Sequence, residues 1–226
     1  MAKNIIAIRP EPGLSQTIAR AHGAGLEIKG FPLFEVRPAE WSAPDDLAFD
    51  GILIGSANAI RHGGPQLALL LDLPVYAVGE TTAETAQDAG FTIADIGQGG
   101  LQSLLDKHSG KAIRFLRLAG RDHVELSPPR SHTIVDRVVY QSDATEMSPQ
   151  LGEALLDHAV VLLHSAGAAA HFANECSRVG VDRGAIRIAA LGPRVAAACG
   201  EGWGELQCAD QPSDAALLAL TKNMCK

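Results

Sequence analysis

The chain has 226 residues, 46% of them hydrophobic and 20% charged, a balance that can bury a core and does not describe a disordered chain. Its net charge of −7, with no run of Lys and Arg, excludes a general nucleic-acid surface, and no apolar stretch approaches the ~20 residues that span a bilayer. What remains is a globular protein of one large domain or two small lobes.

In chain order, the polar start Met1-Ala2-Lys3-Asn4 leads into a short apolar run, Ile5 to Ile8. We read it as the first strand of a cytoplasmic protein without a signal peptide. Ser15 to Ala24 has helical spacing, and Gly30 to Pro38 (GFPLFEVRP) is extended and flanked by turn formers. Strands follow at Ile52 to Ile54 and Val75 to Val78, then a helix at Thr82 to Ala89 that ends where Gly90 suits a left-handed cap. Ile113 to Leu118, the extended Arg137 to Asp143 (RVVYQSD), Val160 to Leu163 and Ile186 to Leu191 complete the series. Aromatics are only 4%, so the core rests on Leu, Ile, Val and Ala, which suits helices packed on parallel strands buried on both faces. The fold class is α/β.

Three segments recur in the same order at nearly constant spacing. ILIGSANAI (Ile52 to Ile60) returns as VLLHSAGAA (Val161 to Ala169), VYAVGETTAETA (Val75 to Ala86) as IAALGPRVAAAC (Ile188 to Cys199), and GGLQSLLDK (Gly99 to Lys107) as PSDAALLALTK (Pro212 to Lys222). Two similar lobes explain this, and chance pairing of apolar strands is the alternative. The two extended segments then read as crossings between lobes, or as ordinary edge strands of one sheet. With crossings, residues 1–37 and 142–226 form a discontinuous lobe and 38–141 an inserted one.

Common catalytic signatures are missing. Gly97-Gln98-Gly99-Gly100 does not complete GxGxxG, Gly110-Lys111 lacks the upstream glycine of a phosphate loop, and Leu163 stands where a nucleophile elbow before Ser165 needs glycine. The eight histidines show no ligand spacing, and His164 and His171 read as coverings of a lobe surface. Cys176, Cys199, Cys208 and Cys225 form no CxxC, so neither a disulfide framework nor a metal site is expected. Attention falls on the repeated strand-to-helix turns. Ligands of open α/β sheets bind beyond the carboxyl ends of the strands, where helix N-termini present unpaired N–H groups suited to carboxylates. Ser56-Ala57-Asn58 and Ser165-Ala166-Gly167 are two such turns, and Thr81-Thr82 and Arg194 mark two more. Plain N-capping by Ser, Asn and Thr is the alternative at each. Arg9, at the end of the first strand, could grip a carboxylate or stand on the surface. Arg194 opposes the helix dipole, a conflict that a nearby anion or exposure to solvent would relieve.

The ordered set RPEPG, PLFEVRP, GILIGSANAIR, VYAVGETTAETAQDAGF, FLRLAGRD, VVYQSDA, LLHSAGAAAHF and PSDAALLAL resembles the uroporphyrinogen-III synthases across nearly the whole chain. The resemblance implies two flavodoxin-like lobes with parallel sheets flanked by helices, joined by a two-stranded ladder. It implies a cofactor-free, metal-free lyase that closes hydroxymethylbilane to uroporphyrinogen III, with loss of water and inversion of the last ring. Ser56, Asn58 and Thr82 match the family's binding turns in the inserted lobe, Ser165 and Gly167 those of the other, and Tyr140 its functional tyrosine. The implied partners are the small-molecule substrate and a transient contact with the preceding pathway enzyme, with no nucleic acid or membrane and a monomeric chain. Two departures stand out. Arg194-Val195 lies where many relatives carry threonines, and Arg121 to His132, with Ser127-Pro128-Pro129, cannot hold the helix expected there. A two-lobed module that binds tetrapyrroles or other anions without turnover would use the same features.

Overall fold

All four side chains of Val160–Leu163 are buried, Val161 and Leu163 in one apolar layer and Val160 and Leu162 in another, as in a strand covered on both faces. Gly51–Ile54 is buried in the same way, with Ile52 and Ile54 on one side and Leu53 on the other. The computed structural model describes residues 4–46, 48–156 and 158–225.

The elements of the first half are β1 (Ile5–Ile8), α1 (Gly13–Gly23), β2 (Lys29–Gly30), β3 (Phe34–Pro38), β4 (Gly51–Ile54), α2 (Asn58–Arg61), a 3-10 segment (Gly64–Leu70), β5 (Val75–Val78), α3 (Glu80–Asp88), β6 (Ile93–Gly97) and α4 (Leu101–Lys107). Those of the second half are β7 (Ile113–Gly120), β8 (His132–Ala144), α5 (Pro149–Leu155), β9 (Val160–Leu163), α6 (Ala166–Val179), a 3-10 turn (Arg183–Ala185), β10 (Arg187–Ala190), α7 (Pro193–Cys199), β11 (Glu205–Cys208) and α8 (Asp214–Met224). They divide into two units, Met1–Glu35 with Asp143–Lys226, and Val36–Ser142. The chain leaves the first unit within β3 and re-enters it near the end of β8.

The discontinuous unit holds a parallel sheet in the order β11-β10-β9-β1-β2. Counted within the unit this is the flavodoxin-like order. Leu151 and Leu155 of α5, Phe172 and Cys176 of α6 and Val195 and Cys199 of α7 cover one face. Ala21 of α1 and Leu217, Leu218 and Met224 of α8 cover the other.

The inserted unit holds the order β3-β8-β7-β4-β5-β6, parallel from β8 to β6. There β4 lies between β7 and β5 as β9 lies between β1 and β10, so the recurring sequence segments occupy equivalent strands. Ala59, Ile60, Leu67, Leu70, Ala83 and Ala86 pack on one face, and Leu104 and Leu105 of α4 on the other. The units differ in one crossover. Between β1 and β2 the chain forms α1, whereas between β7 and β8 residues 121–131 run without a helix. Two prolines deny that stretch helical hydrogen bonds. Gln102 of α4 pins it instead, accepting from Ser127 N and donating to Ser127 O, both at 2.9 Å, while Leu126 packs beside the α4 layer.

Candidate functional site

In the inserted unit, strand register brings the expected residues to one edge. Ile54 of β4 is level with Leu118 of β7, so Ser56, two residues on, comes out level with Gly120 at the end of β7. Gly120 in turn pairs with Tyr140 of β8 across a break in register. Tyr140 is half-buried and lies over that glycine, its ring against the layer of Ile52 and Ile54. Beyond Ser56, Ala57 is buried and Asn58 begins α2, its N–H donating to Ser56 Oγ at 3.3 Å. The neighbouring strand β5 is followed by Gly79, whose φ of 80° lies in the left-handed region that favours glycine. Thr81 is exposed in the first turn of α3, but Thr82 is only 6% exposed and faces the core with Ala83 and Ala86.

The discontinuous unit repeats this edge. Ser165 caps α6, its Oγ accepting from Ala168 N at 3.2 Å, and Ala166 and Gly167 form the first helical positions. Gly167 is exposed, with open space where a Cβ would project. On the adjacent strand β10 the turn leads to Pro193 and Arg194, both exposed at the start of α7. An exposed guanidinium at a helix N-terminus adds positive charge where the helix already offers it.

Two residues differ from the sequence reading. Arg9, taken as a grip for a ligand carboxylate or as a lone surface arginine, has an internal partner: its Nη1 donates to Asp214 at 3.2 Å and to Thr17 Oγ1 at 3.0 Å. His164, taken as a surface covering, has a side chain only 7% exposed, and its Nε2 lies 3.1 Å from Asp214 Oδ1. Asp214, at the start of α8, also accepts from Arg20 at 2.7 Å and from Thr17 Oγ1 at 3.0 Å. Burial alone would raise the pKa of Asp214, but donors from His164, Arg9 and Arg20 outweigh it and hold the carboxyl well below its usual range. Burial lowers the pKa of His164 despite that carboxylate, so the imidazole is neutral at pH 7 and donates Nε2–H to Asp214. The cluster ties the ends of β1 and β9 to α8, directly before the Ser165 turn.

His62 is a neighbour of Tyr140 that the sequence pattern did not disclose. It closes α2, and its ring centroid lies 6.4 Å from that of Tyr140 at a tilt of 37°. Burial, aided by Arg61, lowers its pKa and keeps it neutral at pH 7. A histidine ending a four-residue helix carries no recognisable spacing, so only the register reveals it. Each edge thus offers helix-start amides without intrahelical partners, which suit carboxylates, and the inserted one adds a phenol. Among the described residues, no group of three or more His, Cys, Asp or Glu gathers as for a metal ion, and no helix is long and apolar enough to cross a membrane.

A family model described as uroporphyrinogen-III synthase HemD matches residues 15–219. Among solved structures, the chain is similar to the uroporphyrinogen-III synthetase of Helicobacter pylori 26695, with a TM-score of 0.66 and 19% identity over 98% of this chain and 99% of that one. A mutant uroporphyrinogen III synthase of the extremely thermophilic bacterium Thermus thermophilus matches with a TM-score of 0.53 and 14% identity, over 98% and 99%. At these identities the two structures speak for the fold alone. No curated protein sequence matches the chain.

Proposed function

The chain belongs to the uroporphyrinogen-III synthase family, and from that premise we propose how its residues divide the work of closing hydroxymethylbilane into uroporphyrinogen III. The enzyme is a lyase of tetrapyrrole biosynthesis, so its substrate carries an acetate and a propionate on each of four pyrroles. In our reading these carboxylates are met by the turns Ser56-Ala57-Asn58 and Thr81-Thr82 in one unit, and by Ser165-Ala166-Gly167 and Arg194 in the other. Backbone N–H groups are the main donors. Thr82 has its side chain turned into the core and its N–H bonded to Gly79 O at 3.2 Å, so the exposed Thr81 carries the contact of that turn. Arg9 acts at one remove, holding the buried Asp214 beneath the Ser165 turn.

Tyr140 is the proposed general acid. Its phenol gives a proton to the departing hydroxyl, which leaves as water while the pyrrole nitrogen supplies the electrons. The proton lost from the pyrrole carbon at ring closure restores the balance. No electrons are exchanged with an outside donor, and the reading assigns no metal or organic cofactor. The observation that carries it is the placement of Tyr140, half-buried over Gly120 and level with the Ser56 turn. We further assign the chain to the cytoplasm, as a monomer with a brief contact to the enzyme that supplies its substrate. The cysteines are free thiols, as a reducing compartment requires.

The test is the isomer composition of the product. Freshly made hydroxymethylbilane closes unaided to isomer I, and adding the protein should make isomer III dominate. Isomer I alone, with saturable binding, would replace this reading with a binding module that does not turn its ligand over.

A further inference from the structure

Arg117 stands in the middle of β7 with its side chain 6% exposed, yet its guanidinium is poorly partnered. Nη2 donates to Val124 O at 2.8 Å, but the buried Nε meets no acceptor, and the carboxylate of Asp136, its neighbour on β8, stays 3.9 Å from Nη1. A buried N–H without an acceptor keeps its full desolvation cost, and burial here lowers the pKa of Arg117. Arg117 also lines a cavity of about 360 Å³. Leu126, Pro128 and Ile134 give it apolar walls, and the half-buried His123 with the exposed Glu125 and Asp136 complete its lining. The β7–β8 crossover, which has no helix, supplies His123, Glu125, Leu126 and Pro128 to this lining.

We propose that this cavity binds a small zwitterion of amino-acid size, its carboxylate on the Arg117 guanidinium and its ammonium group between Asp136 and Glu125. The charges select this class. A purely anionic ligand would reach Arg117 only past two carboxylates, and a purely cationic one would leave Nη1, 3.9 Å from the Asp136 carboxylate, without a close acceptor. The apolar walls accept the short carbon frame that separates the two charges. None of the lining residues belongs to the turns assigned to tetrapyrrole carboxylates, and occupancy of the cavity does not depend on that assignment. The cavity is nonetheless tied to Tyr140: His123, whose Nε2 is 3.8 Å from Asp136, donates from Nδ1 to Gly120 O at 2.7 Å.

The experiment titrates 4-aminobutyrate into the isotope-labelled full chain and follows the Nε–H resonance of Arg117, with butyrate and butylamine as controls that keep the frame but carry one charge each. The resonance should shift saturably with 4-aminobutyrate, and each control should bind at least roughly tenfold more weakly, as loss of one charge-assisted pair predicts. Arg117→Met should abolish the binding, read on neighbouring amides. Asp136→Asn alters a half-exposed strand position, keeps the fold and should reduce the preference for 4-aminobutyrate over butyrate several-fold, Glu125 retaining the rest. No saturable shift, equal binding of all three probes, or an Asp136→Asn chain whose preference for 4-aminobutyrate is as large as the parent's would overturn the proposal.

Discussion

Gly120 and Tyr140 face each other across a break in register between β7 and β8, so closely that a Cβ on the glycine would stand 2.6 Å from Cζ of the ring. No rotamer shift of a flexible tip can relieve that contact, because the ring itself must move. Gly120→Ala should therefore fold, lose a few degrees of melting temperature and slow single turnover by roughly tenfold or more, about 1.4 kcal/mol of transition-state stabilisation. An unchanged rate with a displaced ring in the crystal would show that the seat of Tyr140 is irrelevant to chemistry.

Tyr140→Phe keeps the ring, and with it the packing on Gly120 and His62. Substrate affinity should stay within about threefold while the single-turnover rate falls on the order of 10²-fold, the lower end for a general acid. If the folded variant matches the parent in rate and still forms isomer III, the phenol serves packing alone.

Recognition by main-chain amides can be tested without disturbing the helix. Ala166 is the first residue of α6, a position that tolerates proline, as Pro193 shows at the same position of α7. Ala166→Pro removes one N–H and should weaken substrate binding by roughly tenfold, the worth of one hydrogen bond to a charged group, with little change in melting temperature. Ser165→Ala should do the reverse, costing ~1 kcal/mol of stability through the lost cap and leaving affinity nearly intact. Calorimetric binding and thermal unfolding of both variants decide it.

Arg9→Met should cost stability more than affinity, because its Nη1 is engaged by Asp214 and Thr17. We expect a lowered melting temperature and a dissociation constant within about threefold of the parent, given that so small a change is under 1 kcal/mol. A folded variant that binds more than tenfold more weakly would return Arg9 to the binding set.

Stability should fall with acid in two stages. Burial lowers the pKa of His164, so the folded state favours the neutral ring; that contribution is present above the unfolded value of about 6.5 and lost as pH drops below it. Arg178, against some desolvation and with help from Met147 N, holds the Glu175 carboxyl down to about 2, and Asp214 is lowered as well. Their contributions are present above the unfolded values near ~4 and are lost as pH falls toward the folded ones. Melting temperatures from pH 8 to 3 should show a shallow fall below about 6.5 and a steep one below about 4.3. Glu175→Gln should flatten the second stage and spare the first.

The strands were legible because their periodicity is simple. Val75 to Val78 and Val160 to Leu163 are short apolar runs, and burial on both faces is what such runs need. The helix at Thr82 to Ala89 was legible with its end, since Gly90 takes a positive φ, but not with its beginning at Glu80. What sequence could not disclose depends on side chains brought together from distant segments. Nothing beside Arg9 in the chain announces Asp214, and nothing beside His164 announces its burial. The core-facing side of Thr82 follows from the phase of α3, in which Thr82, Ala83 and Ala86 share the buried face. The turns themselves carried their own signal in Ser, Asn and Gly, whereas His62 and the hollow beside Arg117 arise from packing.

The pairing of Ile5 with Val160 has a consequence for synthesis on the ribosome. Nascent chains fold from the N-terminus as domains emerge, yet β1 must wait more than 150 residues for its central neighbour, while Val36–Ser142 is already complete. During that interval β1 and β2 form at most a two-stranded fragment with open edges, the arrangement least able to stand alone in water. Translation therefore passes through a state in which the inserted unit is folded and the first apolar strand is exposed. Chaperone dependence and misassembly should be concentrated there, and a circular permutant that begins at β9 and places β1 after α8 would shorten the wait for Ala7 without altering a single native contact in the sheet.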